Sequence, residues 1–116
     1  TFERRRTVST HHAQPNEIVD LKTWTQDIAV EKTKVVLRTK ELEVARLVIP
    51  AGRVFKEHQV SGPITVHCIE GSTEFTAMGI SQILGPGQLL YLAPNERHSL
   101  AAIADSIILL TIIFKH

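Results

Sequence analysis

The chain lacks most of the special devices that stabilise or localise a protein. It holds one cysteine, Cys68, among 116 residues, so no internal disulfide can form. Aromatic residues are scarce at 5%, which leaves the core to Val, Ile and Leu, a mostly β-forming set. Charge of neither sign dominates. The formal net charge is +1, and no broad field favours nucleic acid or an anionic membrane. The one basic run, Arg4-Arg5-Arg6, lies in a polar segment where solvation is the ordinary outcome. The longest apolar stretch, residues 107–114, is interrupted by Thr111 and is far too short to span a bilayer as a helix. No signal peptide is visible, and no amphipathic helix of three turns can be traced. The expectation is a cytoplasmic protein without nucleic-acid or membrane partners.

What the chain has is a rhythm of short β-forming runs. With 43% hydrophobic residues in one domain's length, it can bury a core of its own. Residues 1–16 are polar and read as a flexible tail or arm, leaving 17–116 as the folded domain. Within it, residues 17–22, 33–39, 43–49, 64–70, 73–77, 80–84, 88–92, 98–104 and 106–114 read as strands. Residues 24–30 are ambiguous. The breaks fall at Pro50-Ala51-Gly52, Ser61-Gly62-Pro63, Met78-Gly79, Gly85-Pro86-Gly87 and Ala93-Pro94-Asn95-Glu96, where Asn95 tolerates a left-handed backbone. Many short strands about ten residues apart argue for an all-β sandwich or barrel.

Two histidines recur at matching distances from glycine turns. Gly52 is followed after five residues by His58, and the run closes at Gly71. Gly87 leads through Pro94 and Asn95 to His98. This order resembles the paired motifs of the cupin superfamily, over roughly residues 43–113. The resemblance implies a double-stranded β-helix, or jelly-roll barrel, whose two motif hairpins line a pocket. It also implies a metal site of two histidines, a glutamate and a third histidine. Here Val60 stands at the second histidine position and Ile64 at the glutamate position. In the second motif Ala93 replaces the proline and Asn95 the glycine.

Those departures decide the expected chemistry. A first-row metal needs about three protein ligands to stay bound, and His58 and His98 alone make a weak site. A divalent iron, manganese, nickel or zinc ion is therefore expected to be weakly held or absent, unless His67, an acidic residue or a substrate completes the shell. Val60 and Ile64 make the pocket more apolar and favour an organic ligand. Tyr91, in an apolar strand, either lines that cavity or packs in the core.

Each histidine has a plainer reading. His58 either lines the pocket, as ligand or general base, or is an exposed loop residue beside Glu57. His98 either lines the pocket or holds a turn by hydrogen bonding. Strand period places Ile64, Val66 and Cys68 on the core face, so that Thr65, His67 and Ile69 point outward. Cys68 then reads as a small buried filler rather than a nucleophile. The half-apolar outer face and the uncovered strand edges lead to the expectation of a homodimer, with an N-terminal strand exchanged between subunits. Two function classes follow. One is a small barrel that binds an organic molecule in a His-lined pocket with little or no metal. The other is a metal-dependent dioxygenase, isomerase or lyase of cupin type, with its remaining ligands drawn from elsewhere. There is no phosphate loop, nucleophile elbow or CxxC pair.

Overall fold

Strand-forming runs alternate with glycine and proline breaks, and the computed structural model of the chain follows that punctuation. It describes residues 12–19, 21 and 33–115. The basic run Arg4–Arg6, His11, the ambiguous stretch 24–30 and His116 lie outside the described residues. Among the described residues there are nine strands and no helix. They are β1 (Lys34–Arg38), β2 (Leu42–Ile49), β3 (Val54–His58), β4 (Ile64–Glu70), β5 (Thr73–Ala77), β6 (Ile80–Leu84), β7 (Leu89–Leu92), β8 (His98–Ala102) and β9 (Ser106–Ile113).

They form two antiparallel sheets, one in the order β1-β2-β9-β4-β7 and the other β3-β8-β5-β6. Non-sequential neighbours such as β2-β9 and β3-β8 are the long pairings of a double-stranded β-helix. Period-2 alternation decides which side chains meet between the sheets. Ile64, Val66 and Cys68 on β4 are buried, as are Phe75 on β5, Leu100 on β8 and Ile108 on β9, and all belong to one cluster. Thr65, His67 and Ile69 take the outer face of β4 and are half-buried. On the same outer side of β2, Arg46 and Val48 are buried, so this half of the sheet is covered.

Part of the cover comes from the N-terminal segment. The Ala13 amide donates to the Val36 carbonyl at 2.7 Å, and Pro15-Asn16 then turn the chain, with Asn16 at φ 69°. The strand expected at 17–22 does not form in its described part. The Glu17 side chain accepts from the Gln14 amide at 2.9 Å, which holds a turn in place of a ladder. A strand does lie between the breaks at Gly52 and Ser61: this is β3, which pairs with β8.

The turns behave as their residues dictate. Met78 and Gly79, at φ 54° and 75°, make the tight hairpin from β5 to β6, and Asn95 has φ 66°. Gly71 and Gly87 both have positive φ, at 93° and 81°, but their surroundings differ. A Cβ on Gly71 would overlap the Asp105 carbonyl and the Ser106 side chain, whereas one on Gly87 would meet nothing within 4 Å. Gly87→Ala is therefore expected to cost about 1–2 kcal/mol from backbone strain alone, and Gly71→Ala clearly more. Urea denaturation of the two variants checks this, and equal losses would contradict it.

Candidate functional site

The site is set by one strand pair. β3 runs antiparallel to β8, and its register carries an irregularity: Phe55 lies opposite Leu100, but His58 lies opposite His98. Lys56 and Glu57 on β3 thus stand against Ser99 alone on β8, which is a β-bulge. Without the extra residue, strand alternation would put Phe55 and His58 on opposite faces. With it, both line the same cavity. β5 continues both rows across the sheet, with Phe75 opposite Leu100 and Ala77 opposite His98.

His58 is the last residue of β3 and His98 the first of β8, so antiparallel pairing brings them side by side. Their ring centroids are 4.2 Å apart at an interplanar angle of 61°. Phe75 stacks on the other side of His98, 5.5 Å away and tilted by 12°. His98 is buried, whereas His58 is open to solvent. Each ring is held by the backbone two residues before it: His58 Nδ1 lies 3.0 Å from the Lys56 carbonyl, and His98 Nδ1 lies 3.1 Å from the Glu96 carbonyl. A carbonyl can only accept, so Nδ1 is the protonated nitrogen in both rings. In the neutral form of each ring Nε2 is then the acceptor nitrogen.

The cavity has a volume of about 600 Å³. Its walls come from both sheets, with Leu47, Val66, Ile108 and Leu110 on one side and Phe55 and Phe75 on the other. Lys56 and the two histidines are the polar lining groups. The other residues singled out from sequence lie elsewhere. Ile64 is buried in the core but does not line the cavity. Val60 is half-buried against the core, and its carbonyl accepts from the Asn95 amide at 2.8 Å. Tyr91 is 61% exposed: it pairs with Thr65 and shares that residue's outward face, while Leu92 takes the inward one. His67 also points outward and does not join the pair. Cys68 is fully buried, and burial pushes its thiol above its ordinary value, as befits an inert filler. Sequence reasoning missed Phe75 and Lys56. Alternation from Thr73 would have turned Phe75 inward, but nothing signalled the bulge that places Lys56.

A resident metal does not fit this donor set. Among the described residues no group of three or more His, Cys, Asp or Glu is placed to hold an ion. Two imidazole nitrogens leave a first-row metal short of the ligands it needs.

Burial lowers the affinity of His98 for a proton. Its hydrogen bond to Glu96 works the other way, and the neighbouring His58 adds to the lowering. An imidazole titrates near 6.5 in the unfolded chain, so below that pH the unfolded state binds a proton that the folded state refuses. Stability is therefore expected to fall as pH drops from 6.5 through the lower folded value of His98. Denaturation midpoints at pH 7.5 and 5 check the loss. An NMR titration with His98 half-protonated above 6.5 would contradict it.

No protein-family model matches the sequence, and no curated protein matches it. Solved structures do resemble the fold. A conserved protein of unknown function from Streptococcus pyogenes superposes with a TM-score of 0.75 at 16% identity, covering 92% of this chain and 95% of that one. A cupin family protein with a double-stranded β-helix fold from Methanocaldococcus jannaschii gives 0.65 at 14% identity, over 70% and 77%. A predicted oxalate decarboxylase from Thermotoga maritima gives 0.66 at 21%, over 72% and 80%. At such identities the likeness fixes the fold alone: the chain folds as a cupin-type double-stranded β-helix.

Proposed function

We propose that this cupin-fold barrel binds a small organic molecule between its sheets, with its polar group against His58 and His98, and needs no resident metal to do so. The observation that carries the reading is the cavity of about 600 Å³, apolar over most of its wall and polar at one cluster. Binding sites for small organic ligands have that make-up: an apolar lining for affinity and a few fixed polar groups for orientation. The ligand would lay an apolar body along Leu47, Val66, Phe75 and Leu110 and turn its polar end to the imidazoles. Metal analysis of the purified protein tests the alternative, a metal-dependent enzyme. Well under one iron, manganese, nickel or zinc per chain is expected. About one tightly held ion per chain would overturn the metal-free reading. Thermal-shift screening should then find stabilising ligands for the wild-type protein that no longer stabilise His58→Ala.

We also propose that a second copy of the chain covers the outer face of β4 and β7. Leu89 and Tyr91 are 59% and 61% exposed there, in rows with His67 and Thr65. A two-fold axis sets a surface against itself, so like charges would repel, and the four residues Thr65, His67, Leu89 and Tyr91 include no Asp, Glu, Lys or Arg. Sedimentation at micromolar concentration should show a dimer that Tyr91→Glu dissociates. A wild-type monomer would refute it.

A further inference from the structure

We infer that the polar end of the ligand is a hydrogen-bond donor, a hydroxyl on an aromatic body, rather than a carboxylate. This rests on the proposed pocket and adds the chemistry of its occupant. A neutral imidazole carries one proton, and in both rings that proton is engaged by a backbone carbonyl, Lys56 O at 3.0 Å and Glu96 O at 3.1 Å. Two bare Nε2 acceptors are therefore what the pair offers. A carboxylate is also an acceptor, so lone pairs would face lone pairs unless a proton were added, and the burial of His98 opposes adding it there. A hydroxyl brings the missing hydrogen itself. The aromatic preference comes from the walls. Phe55 and Phe75 line the cavity, and Phe75 is already stacked on His98, so a flat ring can continue that face.

Calorimetry at pH 8, where free imidazoles are neutral, can separate the possibilities with three probes of similar shape: 4-butylphenol, 4-butylanisole and 4-butylbenzoate. The phenol should bind, and the methyl ether, which cannot donate, should bind about five- to ten-fold more weakly, the worth of one neutral hydrogen bond. The benzoate should also bind more weakly than the phenol. His98→Ala should reduce the preference for phenol over ether. His58→Ala should do the same at an exposed position, where folding is not at risk. Equal binding of phenol and ether would overturn the donor assignment and leave the pocket standing. Tightest binding of the benzoate would overturn it too. If none of the three binds to folded protein, the pocket reading falls and the inference with it.

Discussion

The pairing of β3 with β8, and the single extra residue within it, is the constraint on which this site depends. An antiparallel pair sets the end of one strand against the start of the other, and here those positions are His58 and His98. The bulge then turns His58 to the face that Phe55 also occupies. Remove the pairing and the imidazoles lose each other. Remove the bulge and His58 faces solvent on the far side of the sheet, leaving His98 alone against Phe75.

The rest of the barrel makes that pair chemically meaningful. Val66, Leu110 and Leu47 on one sheet and Phe75 and Leu100 on the other line the same cavity with carbon. Apolar walls raise the cost of an unpaired polar group, so whatever meets the two Nε2 atoms must satisfy them. Backbone carbonyls at Lys56 and Glu96 fix which nitrogen each ring presents. At positions 60 and 64, Val and Ile bring no further donor. The site thus offers two imidazole donors beside an apolar cavity.

Much of the fold was legible in the chain, because its signals are local. Glycine and proline breaks marked most strand ends, and alternation assigned Ile64, Val66 and Cys68 inward and His67 outward, as the structure has them. The site was legible only in outline. The spacings Gly52–His58 and Gly87–His98 pointed to two histidines, but bulges and cross-strand neighbours are not written in spacing. Tyr91 drew attention as a polar aromatic in an apolar strand, yet its parity is set by pairing with Thr65 on a distant strand. The run at 17–22 alternates like a strand, but the Gln14–Glu17 turn and the pairing of Ala13 with β1 engage that part of the chain differently.

The most direct test of this account is the proximity of the two rings in solution. Nuclear Overhauser spectra of the protein with labelled histidines should show ring-to-ring contact between His58 and His98, separated by 4.2 Å between centroids. They should also show contact from His98 to the Phe75 ring. Contacts from His58 only to exposed neighbours, with none to His98, would mean that β3 lacks the bulge and that the shared site does not exist.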